Sequence, residues 1–525
     1  HLDYEIEPNS DIKYVYIFSM IALFILILAC INFMNLSTAR ASLRSKEVGV
    51  RKVLGSEKKQ LIIQFLFESM LLTACSVLIA ILFAELLLPL FNDLTGRELY
   101  TSYFGNFEAI PAIVITILVV GFIAGSYPAF FLSSFKPVEV LGSKINLFGK
   151  SWLRSGLVVF QFAISIILII GTMVVYNQMR YIQDMKLGFD KDHILVIQRA
   201  WALESQANTF KEELTKHSGI VSASNSDNIP GGFFNQTLFR TEGADTKQQI
   251  FAVISTDYDF AKTMGINIKE GRYFSKDYPS DTISVIINET GVKTFGFKDP
   301  IGKKVIFVGN NNIASNTFKI VGVAKDFHYE SVHQRIRPLL IFLNRGQTAF
   351  LPIRLSTTDY SGTISEIEKL WKKFVPDKPI EYYFLNENFN QLYREEQKTG
   401  QIFTTFSIIS ILIACLGLLG LASFTAERRT KEIGIRKVMG ASTSRIILLL
   451  SKEFIKWVLI ANIIAWPVAY YFMNSWLESF AYRISFPYGI LFVSASLAII
   501  IALITVSSQA IRAANSNPVK SLRYE

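Results

Sequence analysis

The residues of this chain that come nearest to known chemistry fall into a few polar stretches. Gly296-Phe-Lys-Asp-Pro-Ile-Gly302-Lys303-Lys304 resembles a phosphate-cradling loop, yet it has one residue too many between its glycines and no Ser or Thr after the lysine. It reads as a turn. His328 and His333, in Lys325-Asp-Phe-His-Tyr-Glu-Ser-Val-His333, would need Asp326 or Glu330 to make a metal site, and their spacing matches no standard one. No Gly-x-Ser-x-Gly, His-Glu-x-x-His or Cys/His pair offers itself for hydrolysis. Glu68, Glu85 and Glu453 sit in or beside long apolar runs, where a carboxylate serves either a proton or ion relay or interfacial anchoring. Glu68 and Glu85 are about 25 Å apart along a helix, which puts them near the two interfaces and favours anchoring. Cys30, Cys75 and Cys415 all fall in apolar runs, so neither a disulfide framework nor a thiolate metal site is expected. Cys30 and Cys415 hold matching places, which suits helix packing. The chain is therefore expected to have no catalytic residues and to bind no cofactor or metal of its own.

What the sequence does carry is a repeated contact pattern. Lys46-Glu-Val-Gly-Val-Arg-Lys-Val-Leu-Gly55 returns as Lys431-Glu-Ile-Gly-Ile-Arg-Lys-Val-Met-Gly440. Each copy lies between two apolar runs, 15–36 and 61–91 for the first, 402–424 and 446–471 for the second, so each is a short basic elbow between membrane spans. Read as a helix, the first copy puts Leu43, Val50, Val53 and Leu54 on one stripe and Arg44, Glu47, Arg51 and Lys52 elsewhere, which predicts an amphipathic helix lying along the membrane surface. Glu47 precedes Arg51 by four residues, and Glu432 precedes Arg436 by four, the favourable order for a helical ion pair. Gly55 and Gly440 supply the positive φ of a helix stop. A positive-inside loop asks only for Lys and Arg in any order. The same ten-residue pattern twice points instead to a docking surface for a cytoplasmic partner.

Half of the residues are hydrophobic, 42 are Phe, and mean hydropathy is +0.33, too apolar for a soluble protein of 525 residues. The net charge of +10 concentrates where topology needs it, in Arg40, Arg44, Lys46, Arg51, Lys52, Lys58 and Lys59 and in Arg428, Arg429, Lys431, Arg436 and Lys437. Orientation in a membrane accounts for it, and no nucleic-acid partner is expected.

The expected fold is a polytopic α-helical membrane protein of about seven transmembrane helices in two repeats, with an α+β extracytoplasmic domain on helical stalks. Residues 1–14 read as the remnant of a first outer segment, because the chain opens on His-Leu-Asp without a signal pattern and is expected to be N-terminally shortened. Residues 15–135 form the first three-helix repeat, with an outer loop around Arg97, and 136–155 a cytoplasmic linker that opens on Phe135-Lys-Pro-Val-Glu-Val-Leu-Gly142 and carries Lys144, Lys150 and Arg154. Residues 156–187 form a span that continues as a stalk through Met179, Ile182 and Met185, and 387–401 a return stalk. Between them, 188–386 reads as α+β: β-branched runs at 194–197, 251–255, 283–287, 304–308, 318–323, 339–342 and 380–384 alternate with helical stretches at 204–217, 290–295 and 365–374. Residues 402–525 form the second repeat, with spans at 402–424, 457–476 and 488–506, a kink at Pro467, and 445–456 lying in the interface. Its closing Asn517-Pro-Val-Lys-Ser-Leu522 echoes the tail of the first repeat. The number of spans puts the α+β domain opposite the elbows.

With the repeat, the stalks and the outer domain in place, the sequence resembles the MacB-like/FtsX-like permeases of ABC transporters. The two elbow motifs, the Pro-Val tails, the Asp299-Pro-Ile-Gly302 turn and Val321-Gly-Val-Ala-Lys-Asp326 carry the resemblance over nearly the whole chain. It implies that each elbow is a coupling helix seated on a separate ATPase, formed by Lys46, Glu47, Gly49, Arg51, Lys52 and Gly55 and by Lys431, Glu432, Gly434, Arg436, Lys437 and Gly440. It implies a permease without its own ATPase domain, in the bacterial inner membrane with its large domain in the periplasm. Two ATPase copies per complete chain would carry the ATP and Mg. Closure of the ATPases would move the stalks and work the periplasmic domain, by mechanotransmission, in efflux, lipoprotein extraction, or peptide or drug handling. A periplasmic adaptor or an outer-membrane channel would be a further partner, beside membrane lipid. The rival reading is a signalling permease that controls a periplasmic hydrolase or reports antimicrobial peptides to a sensor kinase. Relative to the family pattern, a span and an outer domain are expected before His1.

Overall fold

The structure, a computed structural model, describes residues 12–39, 41–95, 109–134, 151–242, 248–309, 314–343, 348–356 and 360–514. Arg40, Arg97, Lys144, Lys150 and the two Pro-Val tails lie outside these residues, as do the side chains of Lys46, Arg428 and Lys431. The chain divides into two units, residues 1–177 with 396–475 and 485–525, and residues 178–395 with 476–484.

The apolar runs of the first half fold as α1 (Ile12–Ala39), α3 (Lys58–Thr95) and α4 (Ala109–Ser133), with the elbow helix α2 (Ala41–Val53) between the first two. At about 1.5 Å per residue, α3 exceeds the hydrocarbon thickness and continues unbroken through Pro89. Gly121 and Gly125, four apart on α4, bring that helix against Met70, Ser69 and Thr73 of α3. A Cβ on Gly125 would stand 2.6 Å from that of Ser69, so α3 and α4 approach as closely as small-residue membrane packing allows. The next span, α5 (Ser151–Asp184), runs on past the end of its apolar stretch without a break, as the stalk reading requires.

The outer unit is built from two sheets. In the first, β1 (Ile194–Gln198) lies beside a strand at 350–355, and α6 (Ala207–Leu214) packs over them through Phe210. The sequence reading had one helix over 204–217. The chain instead makes 3₁₀ turns over Ala200–Gln206, kinked at Glu204 (φ 48°, ψ −125°), before α6 begins. Then come β2 (Ile220–Ala223), β3 (Gln236–Thr241), β4 (Gln249–Thr256), α7 (Phe260–Met264), β5 (Ile268–Gly271), β6 (Ser284–Asn288), α8 (Glu289–Phe295), β7 (Lys304–Val308), β8 (Ala314–Ala324), β9 (Leu339–Leu343), β10 (Phe350–Leu355), α9 (Tyr360–Phe374) and β11 (Tyr382–Phe384). The strand order is β11-β1-β10-β2 in the first sheet and β5-β8-β6-β9-β4-β3-β7 in the second. The first half of β8 pairs with β7 and its second half with β6, which joins the two margins of the larger sheet and leaves few open edges. Phe210, Trp371 and Ile353 centre one core, and Phe239, Phe251, Val285 and Ile320 the other.

The return stalk is not one helix. It comprises α10 (Leu385–Gln391), then a turn at 392–393 tightened by i→i+3 bonds from Leu392 and Tyr393, then α11 (Arg394–Arg428). The turn lets Phe389 and Tyr393 both bury, and the Tyr393 hydroxyl accepts from the N–H of Val332. The second elbow helix α12 (Thr430–Val438), α13 (Thr443–Leu477) and α14 (Gly489–Ala514) complete the chain. Residues 445–456, expected in the interface, are continuous with the expected span at 457–476 in the single helix α13, which also runs through Pro467.

Six described helices, α1, α3, α4, α5, α11 and α14, are long and apolar enough to cross a membrane. The seventh expected span lies within α13, where Asn462, Trp466, Pro467, Tyr470 and Tyr471 dilute the apolar run. Inside the membrane unit, Ile21 and Leu28 of α1 pack with Ile164 and Leu168 of α5 and with Phe403, Phe406 and Ile413 of α11. Small polar groups add to this seam, with Ser165 bonded to Ser410 (2.7 Å) and Thr172 to Ser407 (3.0 Å).

Candidate functional site

The two elbows end in the same helix stop and carry the same i,i+4 ion pair. Each is a short helix stopped by glycine at positive φ, 101° at Gly55 and 86° at Gly440. In the first, the N–H of Ser56 bonds the carbonyl of Arg51 (3.0 Å) and that of Gly55 bonds Lys52 (3.1 Å); in the second, Ala441 bonds Arg436 (2.9 Å) and Gly440 bonds Lys437 (3.0 Å). This is the Schellman pattern, and it needs a residue without a Cβ penalty at the turn. The ion pairs foreseen from spacing are present, Arg51–Glu47 and Arg436–Glu432, both at 2.8 Å. Arg51 also donates to Gln64 of α3 (2.9 Å). Lys52 donates to the carbonyl of Ser133 at the end of α4 (2.7 Å), and burial beside Lys58 lowers its ammonium below the usual lysine range.

The apolar residues divide differently from the stripe read in the sequence. Val48, which that stripe omitted, is 1% exposed, keyed among Leu61 and Phe65 of α3 and Ala129 and Leu132 of α4. Ile433, its counterpart, is 3% exposed, and Gly49 and Gly434 beside them are buried too. The stripe residues Val50, Val53 and Leu54 are exposed, as are Ile435, Val438 and Met439. Leu54 and Met439, the residues just before the stop glycines, are 81% and 82% exposed. Packing against the helix hairpin takes the Val48 face because α2 lies across the base of α3 and α4. Its opposite face is left uncovered by the described residues.

The sequence makes Arg44 one of the charges that set orientation and Glu68 an interfacial anchor. They form a two-pronged ion pair, Nη1 to Oε2 at 2.9 Å and Nη2 to Oε1 at 2.8 Å. Arg429 reaches Glu453 through a single contact, Nη2 to Oε1 at 3.1 Å. The sequence signal that would have found these pairs is their spacing, 24 residues in both repeats.

The other candidate chemistry is accounted for by packing. Gly296 stops α8 and Gly302 turns into β7, both at positive φ, so the loop-like stretch is a helix stop and a turn. His328 stands edge-on to Tyr482 (4.6 Å between centroids) and His333 stacks on Phe480 (4.2 Å). Burial lowers the His328 imidazole below the usual histidine range, against the pull of Asp326. No group of three metal-ligating side chains occurs among the described residues.

Two family profiles match the chain: "FtsX-like permease C-terminal" over residues 19–137 and again over 404–518, and "MacB-like periplasmic core domain" over 155–368. Among curated proteins, the macrolide export ATP-binding/permease protein MacB of Neisseria gonorrhoeae is 23% identical over 194 residues, 35% of this chain and 29% of that protein. Its namesake in Mannheimia succiniciproducens is 29% identical over 193 residues, again 35% of this chain and 29% of the relative. The match thus spans under a third of the relatives' length. Among solved structures, the periplasmic region of MacB from Actinobacillus actinomycetemcomitans is 14% identical, covering 38% of this chain and 93% of that one at a TM-score of 0.29. The FtsX-like match falls on the two helical repeats, each with its elbow, and the periplasmic-core match on the sheets between them, so the chain belongs to the MacB-like/FtsX-like permease family of ABC transporters.

Proposed function

We propose that this chain is a transporter permease subunit that receives force from a separate cytoplasmic ATPase and passes it to a domain on the far side of the membrane. The two elbows are its seats. On this reading Lys46, Glu47, Gly49, Arg51, Lys52 and Gly55, with Lys431, Glu432, Gly434, Arg436, Lys437 and Gly440, build the coupling helices, and Leu54 and Met439 are their contact tips. The observation that supports this most is the pairing of opposites in both copies: a branched residue buried in the bundle, and an apolar tip held out from it. An exposed Leu alone means little. The same exposed position, fixed by the same helix stop in two repeats, is the form of a repeated contact.

Nucleotide and Mg would sit on the ATPase, one copy per elbow. The membrane would be the bacterial inner membrane, with residues 188–386 in the periplasm. Work would pass through the stalk continuous with α5 and the return stalk into α11, by mechanotransmission. The relatives are macrolide export ATP-binding/permease proteins by name, which supports export over signalling. The test is ATP hydrolysis by the chain purified alone and in complex with the ABC ATPase that co-purifies with it. The reading predicts hydrolysis only in the complex. Hydrolysis by the chain alone, or a native complex without an ABC ATPase, would overturn it.

A further inference from the structure

A coupling helix transmits a push only if it is held at a fixed angle to the spans behind it. The first elbow is held in part by the Arg51–Gln64 and Lys52–Ser133 bonds, and two further kinds of contact recur in both elbows. One is the buried key, Val48 among Leu61, Phe65 and Ala129, and Ile433, for which Ile446, Leu450 and Ala510 are the buried residues at the matching positions of the second repeat. A single branched side chain acts as a pivot, because it fixes a point and leaves rotation about it free. The other is the Arg–Glu pair. Arg44 lies before the Lys-Glu-Val-Gly core and grips Glu68 with both guanidinium nitrogens, one at 2.9 Å and one at 2.8 Å. Arg429, at the position just before α12, holds Glu453 through one nitrogen at 3.1 Å. A planar guanidinium on a carboxylate fixes direction as well as distance. In each elbow the pair adds a second fixed point beside the pivot.

Stability does not account for the pairs. Their side chains are 30% to 53% exposed, and ion pairs of that exposure contribute about 0–1 kcal/mol. Topology does not account for them either, since orientation counts Lys and Arg and is indifferent to a Glu partner. Recurrence of the pair at the same separation of 24 residues in both repeats is what a device needed at each seat would show.

We propose that Arg44–Glu68 and Arg429–Glu453 are positioning pairs for ATPase coupling. They lock each elbow to the helix that follows it, so that displacement of the elbow moves α3 and α13 instead of rocking about Val48 and Ile433. The proposal rests on the functional reading above and deepens it by separating docking from transmission.

The experiment uses the full chain purified with its ATPase, and reads two quantities, the ratio of ATPase to permease and the rate of ATP hydrolysis. For the double variant Arg44→Gln, Arg429→Gln the expected result is an unchanged ratio and hydrolysis reduced at least fivefold. The fourfold charge swap, Arg44→Glu with Glu68→Arg and Arg429→Glu with Glu453→Arg, is expected to return hydrolysis to within about twofold of wild type, a rescue that a merely local loss of charge would not give. Wild-type hydrolysis in the Gln variant overturns the proposal and leaves the functional reading standing. So does a swap that assembles normally and stays as slow as the Gln variant. A wild-type complex that contains no ABC ATPase overturns the functional reading, and the positioning pairs with it.

Discussion

Aspartate placed at both Leu54 and Met439 is expected to cut ATP hydrolysis by the purified complex to about a tenth or less, with loss of the ATPase from the complex. Interface anchors that fill a partner's pocket commonly contribute about 2 kcal/mol or more each, and a buried unpaired carboxylate adds a penalty of its own. Two seats disabled together leave no second foothold, whereas either single change should be milder, because the intact elbow keeps the ATPase at high effective concentration. Folding should be spared. Both side chains are almost wholly exposed and sit outside the buried keys, and surface substitutions of this kind stay within about 0.5 kcal/mol. The measurement is ATPase retention on affinity purification together with the hydrolysis rate. Full retention in the double variant would remove the apolar tips from the contact.

Asp281→Ala should destabilise the outer domain by about 3 kcal/mol, the low end for removing one partner of a buried pair, because Arg272 is partly exposed. Asp281 is fully buried. Its carboxylate takes both guanidinium nitrogens of Arg272 (2.6 and 2.7 Å) and the N–H of Ser275 (2.9 Å), and that guanidinium also lies over the Tyr278 ring at 3.8 Å. Removing the acid takes from the Arg272 guanidinium and the Ser275 N–H the acceptor they share. Thermal unfolding of the full chain should show the outer-domain transition lowered by roughly 6–12 °C. Burial alone would raise the Asp281 carboxyl, but Arg272 and the Ser275 N–H outweigh it and hold the group below the usual range. Its contribution is therefore complete above about pH 4, the unfolded value, and is lost as pH falls through the lower folded value. The variant should accordingly lose less stability than wild type on acidification. An unchanged transition temperature in Asp281→Ala would show that the pair contributes nothing net.

The outer strands were legible where β-branched residues run together, as in Ile194–Gln198 and Ser284–Asn288, and illegible where the strand is polar or carries proline. β3, Gln236-Thr-Leu-Phe-Arg-Thr241, has no clean alternation. β10 hides behind Pro352, which stands inside a sheet because β2 ends at its side: only the Pro352 carbonyl is engaged there, by the N–H of Ser224 at 3.0 Å. At the elbows, the ten-residue motif and its i,i+4 ion pairs were legible because helical spacing is local. The buried face was not. Periodicity gives an apolar stripe but not what lies against it, and the stripe was assigned to the membrane surface while Val48 went unremarked. The Arg44–Glu68 pair joins residues brought together only when α2 folds back on α3, so no window of local pattern contains it.

The placement of the elbows is tested most directly by labelling with a membrane-impermeant maleimide. In a background with Cys30, Cys75 and Cys415 replaced by alanine, single cysteines would be placed at Leu54, Met439 and the exposed outer-domain position Lys276. In intact cells the account predicts labelling at position 276 alone, with positions 54 and 439 reacting only after the inner membrane is opened. Labelling of position 54 or 439 from outside intact cells would contradict it.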